Sequence, residues 1–252
     1  STNRQYKNSV HHFEYLSLAN VAISLNGHFI WSNHDLVSKR HLIVNRYRQK
    51  NFKKKILDLF KSYRLKQVEK MTIQNSSLIL CISETEAMYY SDKYNSDYVK
   101  YLPFSPPQLK PISSKKHGNK QKLKIIHLGS LNSIITYSSL SNFFKMILPR
   151  LNSIDHEKIE LLVVGDSTVG ERSKKILELS KSYSFVKILG YHKDLTTVFK
   201  EAHCQLVASS ISIGARTRII ESFGYGIPVL STVSASKGIH GLKHMDNILL
   251  GK

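Results

Sequence analysis

Short apolar runs alternate with amphipathic stretches through the second half of the chain, and this alternation constrains the fold more than any other feature. Residues 159–166 (IELLVVGD) begin with an uninterrupted apolar run of the kind that is buried on both faces of a parallel sheet. Four further runs are separated from it and from each other by helical periodicity. We therefore predict an α/β fold with a doubly wound, Rossmann-like parallel sheet. The predicted strands are residues 122–130, 159–166, 185–191, 204–210 and 227–233, and the predicted helices are residues 137–151, 171–183, 193–202 and 217–226.

The first hundred residues show a similar alternation. Residues 28–33 predict one strand, and residues 76–83 predict a buried strand that leads into a helix over residues 84–94. Ser83 stands at the N-cap position of this helix and Glu86 at its third residue, which predicts a capping box.

A long helix is predicted over residues 51–71, and it carries much of the positive charge. The formal net charge of the chain is +19, and from Lys39 to Lys70 twelve Lys or Arg residues face two acids, a net of +10. Such a region attracts polyanions, although a solvated helix face is the plainer interpretation. Four apolar residues of this helix fall on one face: Phe52, Ile56, Phe60 and Tyr63.

A proline-rich stretch separates the two halves. Residues 102–121 contain four prolines, which deny regular structure and stiffen the chain. We predict a partial N-terminal domain over residues 1–105, a linker over 106–121 and a C-terminal domain over 122–252.

The two cysteines and the apolar runs indicate the environment. Cys81 and Cys204 each lie in an apolar run, which predicts two buried thiols in a protein of a reducing compartment. The apolar runs are far shorter than the roughly 20 residues that span a bilayer. We expect a cytoplasmic protein that can bind peripherally to the inner face of the membrane.

Residues of interest, all small except Tyr191, follow the predicted strands of the second half, where ligands bind in open α/β sheets. Their backbone N–H groups can approach a phosphate closely, although tight turns alone also explain them. No G-x-G-x-x-G follows the first of these strands and no P-loop motif is present, which disfavours a dinucleotide cofactor and a P-loop nucleotidase. These residues are Gly129, Ser130, Gly165, Gly190, Tyr191, Ser209 and Gly214.

The segment from Gly214 to Pro228 contains the residues that most strongly indicate a ligand-binding site. Arg216 and Arg218 stand at the start of a predicted helix, and a helix N-terminus with two arginines suits a diphosphate. Glu221 would then accept hydrogen bonds from sugar hydroxyls. An ordinary amphipathic helix with Glu221 paired to Arg218 at i, i+3 explains the residues equally well.

The same segment resembles a family signature. TRIIESFGYGIPVLSTVSASKGI is similar to the donor-binding motif of the large retaining GT-B glycosyltransferases. HLGSLN, LLVVGD and VKILGYHKDLTTVFKEA resemble further motifs of that donor domain, in the right order. NHDLVSKRH and VEKMTIQNSSLILCISETE resemble motifs of its acceptor domain. The resemblance covers roughly residues 10–250 and implies two Rossmann-like domains that face a cleft.

The resemblance also implies roles for single residues. Gly129 and Ser130 would lie near the donor phosphates, and Arg216 and Arg218 would hold the diphosphate. Glu221 would bind the donor ribose. The remaining expectations are that Gly190, Tyr191 and His192 meet the base and that His34 faces the transferred sugar. The alternative for His34-Asp35 is a structural pair. No metal and no cofactor beyond the donor are expected.

Two departures from the family pattern stand out. Ile213 occupies a position where many relatives carry Glu, and the loop SLNSIITYSS lacks the Arg and Lys that many relatives carry. The family also has further strands before residue 10 and terminal helices after residue 252, so the resemblance implies that both termini are missing.

The expected function is transfer of a hexose from a nucleoside-diphosphate sugar, with retention, to a hydroxyl of a cell-surface glycan or a lipid-linked sugar. The region from Lys39 to Lys70 would contact an anionic membrane surface. The alternatives are a degenerate GT-B domain that acts as a binding or scaffold subunit, and a nucleotide-sugar epimerase. Nucleic-acid binding is disfavoured because the basic region has no aromatic stacking array.

Overall fold

The computed structural model describes residues 9–24, 28–46, 52–106, 111–112, 122–168 and 170–251. The chain divides into two compact units. Unit 1 comprises Ser1–Phe104, Ile213–Ala215 and Lys237–His240, and unit 2 comprises Ser105–Ser212, Arg216–Ser236 and Gly241–Lys252. Most of the predicted linker, residues 106–121, lies outside the described residues.

The described part of unit 1 contains a parallel four-stranded sheet in the order β1-β2-β3-β4. The predicted strands at residues 28–33 and 76–83 are confirmed as β2 and β3, and the helix over residues 84–94 is confirmed as α4. The short strands β1 and β4 were not predicted. The strands are β1 (Val10–Phe13), β2 (His28–Asn33), β3 (Leu78–Cys81) and β4 (Val99–Tyr101), and the helices are α1 (Ala19–Ser24), α2 (Val37–Arg46), α3 (Phe52–Asn75) and α4 (Glu84–Tyr94).

The core of unit 1 forms between its sheet and helices. Trp31 of β2, Ile79 of β3, Ile73 of α3 and Tyr90 of α4 are fully buried there. Helix α3 packs against α2 through a largely polar face, on which Ser62 donates a hydrogen bond to the Ser38 carbonyl. The predicted apolar face of α3 exists, but its side chains are exposed instead of facing this core.

The predicted capping box at the start of α4 is wrong. The Ser83 hydroxyl lies 3.1 Å from the Thr85 hydroxyl and makes no side-chain bond that caps the helix. The Glu86 carboxylate instead accepts hydrogen bonds from the backbone N–H groups of Leu36 (3.2 Å) and Gly214 (2.9 Å), both within unit 1. A buried backbone N–H needs an acceptor, and these two groups are satisfied by this side chain.

The described part of unit 2 contains a parallel six-stranded sheet in the order β10-β9-β8-β5-β6-β7. The five predicted strands are confirmed, and β10 adds one that the sequence did not reveal. The strands are β5 (Leu123–Leu128), β6 (Ile159–Val164), β7 (Val186–Gly190), β8 (Cys204–Val207), β9 (Val229–Thr232) and β10 (Leu249–Gly251). The helices are α5 (Ile134–Asn142), α6 (Ser153–Lys158), α7 (Glu171–Lys181), α8 (Thr196–Phe199), α9 (Thr217–Gly224) and α10 (Val233–Ser236).

The helix predicted over residues 137–151 is only partly α-helical. After α5 the chain forms a π turn over Phe143–Ile147 and a 3₁₀ turn over Leu148–Arg150. Pro149 lies in the 3₁₀ turn, and because proline has no N–H it cannot continue the α-helical hydrogen bonding.

Both faces of the unit 2 sheet are covered. All six residues of β6 are buried, as predicted for a strand between two helical layers. Leu161 and Ile176 belong to the core on one side, and Phe199 and Tyr225 to the core on the other.

Both cysteines are buried free thiols, as predicted. Burial raises the pKa of the Cys81 thiol to about 12 and that of the Cys204 thiol to about 11.

Candidate functional site

The order of the strands in unit 2 places a switch point at the centre of its sheet. Strand β5 lies between β6 and β8, so the chain leaves β5 toward β6 and β7 and later crosses back to β8. The loops that follow β5 and β8 therefore diverge, which opens a crevice outside the carboxyl ends of these strands. Gly129 and Ser130 follow β5, and Ser209 follows β8 after Ala208.

Three of the predicted glycines lie in adjacent loops at this edge. The N–H of Gly129 donates to the Val164 carbonyl and the N–H of Gly165 donates to the Gly190 carbonyl, both at 2.8 Å. Gly129 and Gly165 have φ of +134° and +150°. A Cβ at Gly165 would stand closer than 3.0 Å to the backbone of Gly129, so only glycine fits where these two loops touch.

Arg218 lies against the turn that follows β5. Its Nη1 donates to the Leu128 carbonyl, and a Cβ at Gly129 would lie 2.9 Å from both terminal nitrogens of its guanidinium. Burial, with a smaller effect from the charge of Arg216, lowers the pKa of Arg218 to about 10. The side chain therefore keeps its positive charge at neutral pH, directly beside the glycine turn.

His127 is a site residue that the sequence reasoning missed. It is fully buried in β5, and its Nδ1 lies 2.8 Å from the Leu206 carbonyl, which can only accept a hydrogen bond. Nδ1 therefore carries the proton, while burial and the charge of Arg218 lower the pKa of His127 to about 3. His127 is thus a neutral imidazole within electrostatic range of Arg218. The sequence signal that could have identified His127 is its place as a polar residue inside the otherwise apolar run IIHL.

Arg216 and Arg218 have different partners. Arg216 is 8% exposed, forms the N-cap residue of α9 and donates from Nη2 to the Ile211 carbonyl at 2.8 Å. Arg216 thus supports the loop that follows β8, whereas Arg218 reaches the end of β5.

Glu221 follows one turn into α9. It is half-buried, and burial raises its pKa while the charge of Arg218 lowers it. The guanidinium of Arg218 bonds to the end of β5, so it is oriented by the strand rather than by the i, i+3 pairing that we considered.

The remaining predicted residues of unit 2 lie at the same edge of the sheet. Ser209 is fully buried, and its hydroxyl accepts from the Ile211 N–H at 3.1 Å while its carbonyl accepts from the Thr232 hydroxyl at 2.6 Å. Ser130 accepts a weak bond from the Asn132 N–H at 3.4 Å. Tyr191 follows β7 and is 75% exposed, so it is available to a ligand.

His34 and Gly214 belong to unit 1. The His34 ring stacks on Tyr15, with centroids 5.2 Å apart, and its Nε2 lies 3.9 Å from a Glu14 carboxylate oxygen. Asp35 is paired with Arg40 at 2.7 Å, so each member of the His34-Asp35 sequence has its own partner. The N–H of Gly214 bonds to Glu86, whose pKa is raised by burial to about 7.

A cavity of about 390 Å³ lies at the opposite edge of the unit 2 sheet. It is lined by residues at the amino ends of β9 and β10, among them Pro228, Val229 and Leu249. Because ligands of open α/β sheets bind at the carboxyl ends of the strands, we assign the candidate site to the edge that carries Arg218. Among the described residues, no group of three or more His, Cys, Asp or Glu side chains is arranged to hold a metal ion.

Solved structures share the fold of this chain. Anabaena HepE in complex with UDP and glucose aligns with a TM-score of 0.69 and 13% identity, over 98% of this chain and 65% of that one. TarM of S. aureus aligns with a TM-score of 0.64 and 12% identity, over 96% of this chain and 44% of the TarM chain. The lipopolysaccharide outer core galactosyltransferase WaaB aligns with a TM-score of 0.59 and 13% identity, over 96% of this chain and 85% of the WaaB chain.

At these identities the likeness shows the fold, which is the predicted α/β fold of GT-B type. The chain spans about two thirds of the length of HepE and less than half of that of TarM.

Sequence comparisons identify the family. No curated protein matches the chain significantly. The family profile described as "Glycosyl transferases group 1" matches residues 122–250, which include strands β5 to β9 and the segment from Gly214 to Pro228. The chain therefore belongs to the group 1 glycosyltransferases.

Proposed function

We propose that the full-length protein transfers a hexose from a nucleoside-diphosphate sugar to an acceptor hydroxyl, with retention at the anomeric carbon. One observation carries the proposal: the charged guanidinium of Arg218 lies against the Gly129 turn, at the switch point of the sheet. A diphosphate bound there would meet this guanidinium together with the backbone N–H groups at the start of α9.

The chemistry needs stabilisation of a leaving group. When the bond from the anomeric carbon to the phosphate oxygen breaks, negative charge develops on the departing diphosphate. A fixed guanidinium and a helix N-terminus stabilise that charge without reorganisation. His127 supports this role because it stays neutral beside Arg218.

Retention requires that the acceptor attacks the face from which the diphosphate leaves. In the proposed step the acceptor oxygen bonds to the anomeric carbon and its proton passes to the departing phosphate oxygen. No enzyme nucleophile is then required.

The other predicted residues have proposed roles in binding. Glu221 would accept hydrogen bonds from the donor ribose, Tyr191 would stack on the base, and His34 would face the transferred hexose. HepE was solved with UDP-glucose, which makes a UDP-hexose the first donor to test. The proposed acceptor is a hydroxyl of a glycan or of a lipid-linked sugar.

A binding subunit without turnover is the second candidate function. Ile213 is 7% exposed, so an apolar side chain is packed where many relatives carry an acid. Such a protein would bind the donor with an intact Arg218 site but would neither hydrolyse nor transfer it.

The test is donor turnover by the full-length protein. Arg218→Ala should lower hydrolysis or transfer of the UDP-hexose by about 100-fold, because loss of one group that stabilises transition-state charge has an effect of this size. Arg150→Ala, which removes an exposed arginine of the same unit, is the matched control and should leave turnover unchanged. Equal turnover by wild type and Arg218→Ala would contradict the proposal. Donor binding without turnover in the wild type would support the binding subunit.

A further inference from the structure

The outer face of α3 carries large apolar side chains that the described fold leaves uncovered. At about 100° per residue, five of them fall within an arc of about 100°, on the side of α3 away from the buried Glu69 and Thr72. We call this set the α3 apolar face, and its members are Phe52 (77% exposed), Ile56 (50%), Leu59 (62%), Phe60 (58%) and Tyr63 (60%).

Basic side chains border the α3 apolar face on both sides. On the same helical projection, Lys55 and Lys66 flank it on one side and Lys53 and Arg64 on the other, and all four are exposed. An apolar centre between two basic borders is typical of a helix that lies in the interface of an anionic membrane.

The two acids of α3 do not offset this charge at the surface. The side chain of Asp58 is only 14% exposed, and it lies 3.6 Å from His41 Nε2. Glu69 is 2% exposed and accepts hydrogen bonds from the Ser38 hydroxyl (2.6 Å) and the Ser38 N–H (2.9 Å). Within the described helix, the exposed surface of α3 therefore carries apolar, basic and neutral polar groups but no exposed carboxylate.

We propose that α3 docks the protein on a membrane surface of anionic phospholipids. The α3 apolar face enters the boundary between headgroups and acyl chains, and the flanking Lys and Arg side chains contact lipid phosphates. This goes beyond the charge attraction expected from the sequence, because it places apolar side chains inside the lipid. It concerns a surface separate from the donor site and does not depend on the proposed transfer reaction.

Charge complementarity selects lipid over a second copy of this chain. In a two-fold symmetric dimer the same patch meets itself, so Lys53, Lys55, Arg64 and Lys66 of both copies would face one another. An anionic bilayer instead neutralises each of them, and each basic residue near such a surface adds to the attraction.

A tryptophan placed on the α3 apolar face tests insertion directly. In full-length Phe60→Trp, vesicles of phosphatidylcholine and phosphatidylglycerol should shift the emission of the new indole to the blue, and brominated lipids should quench it. Trp31 gives a constant background because it is 1% exposed. Met88→Trp is the matched control, because Met88 is exposed on α4 of the same unit, and its emission should not change. Unchanged emission of Phe60→Trp would overturn the proposal.

Cosedimentation with the same vesicles separates specific docking from net charge. The double substitution Lys55→Glu with Lys66→Glu should weaken binding at least about 10-fold, since each basic contact adds about 1 kcal/mol. Lys174→Glu with Lys200→Glu makes the same change in net charge on exposed sites of unit 2 and should bind almost as wild type. Equal losses in the two pairs would contradict the proposal.

The apolar contribution needs its own variant. Ile56→Ser with Phe60→Ser should abolish cosedimentation while circular dichroism stays native, because both side chains are exposed. Wild-type dimers in sedimentation velocity that become monomers in this variant would assign the face to a second copy and overturn the lipid proposal. Preferential binding to RNA in competition with anionic vesicles would also overturn it.

Discussion

Replacement of Gly165 by alanine tests the contact between the loops that follow β5 and β6. Gly165 has φ +150°, and an added Cβ would stand closer than 3.0 Å to the carbonyl carbon and oxygen of Gly129 and to the N atom of Ser130. All three are backbone atoms, so no flexible side chain can move aside. The methyl group must therefore displace one loop from the other.

Gly190→Ala is a matched control. Gly190 also has positive φ (+75°), but an added Cβ there meets nothing within 4 Å. Each substitution carries the penalty of an L-residue at positive φ, about 1–2 kcal/mol. Gly165→Ala adds the penalty of overpacking, about 1–3 kcal/mol. We expect the free energy of unfolding to fall by about 1–2 kcal/mol in Gly190→Ala and by about 2–5 kcal/mol in Gly165→Ala.

Urea denaturation of the full-length variants, followed by circular dichroism, measures the difference. Gly165→Ala should also weaken donor binding, because displacement of the Gly129 turn moves the surface against which Arg218 lies. Equal destabilisation by the two substitutions would show that the loops do not touch as described, and the geometry of the candidate site would then be wrong.

Three further predictions test other parts of the structure. Burial raises the pKa of Glu86 from 4.5 to about 7, so its contribution to stability is full below about pH 4.5 and falls by about 3 kcal/mol as the pH rises to about 7. Glu86→Gln keeps an acceptor oxygen but does not titrate, so it should flatten this part of the stability–pH curve. An unchanged slope in Glu86→Gln would refute the assignment. Leu161→Ala in the fully buried centre of β6 should lower the free energy of unfolding by about 2–5 kcal/mol in urea titrations, and a loss below about 1 kcal/mol would argue against the core position of β6. Cys81 and Cys204 should react with a thiol reagent only after unfolding, because both are buried with raised pKa values, and fast reaction in the native protein would contradict their burial.

The sequence predicted the centre of the fold better than its edges. Strand β6 was recognisable because burial on both faces leaves an uninterrupted apolar run. Strands β4 and β10 have only three residues each, and His11 and His12 interrupt the apolar character of β1. Their place in a sheet is decided by pairing with neighbouring strands, which a local pattern does not record.

What the sequence did not reveal at α3 and what it predicted wrongly at α4 have one physical cause. Local patterns show which residues share a helix face or occupy a capping position, but tertiary contacts decide what each face meets. The spacing of Phe52 and Tyr63 correctly predicted that they share a helix face, but it could not predict that this face is exposed. Glu86 has the sequence position of a capping residue, yet its carboxylate accepts hydrogen bonds from the buried N–H groups of Leu36 and Gly214 instead.

The candidate site shows a similar limit. The sequence placed Arg216 and Arg218 together at a helix start and assigned both to a diphosphate. Their different partners, Ile211 for one and Leu128 for the other, depend on how the loops after β5 and β8 pass each other. His127 was missed for the same reason, since only the fold brings it close enough to Arg218 for the two groups to interact electrostatically.

Calorimetric titration of the full-length protein with UDP tests the central claim most directly, because it measures binding of the diphosphate at Arg218 without requiring an acceptor. Wild type and Arg150→Ala should bind with the same affinity. Arg218→Ala should weaken binding by about 10–100-fold, which corresponds to the loss of a charge-assisted hydrogen bond of about 1.5–3 kcal/mol. Arg218→Lys, which keeps the charge but loses the planar fork, should fall between them. UDP binding of equal strength in wild type and Arg218→Ala would contradict the account.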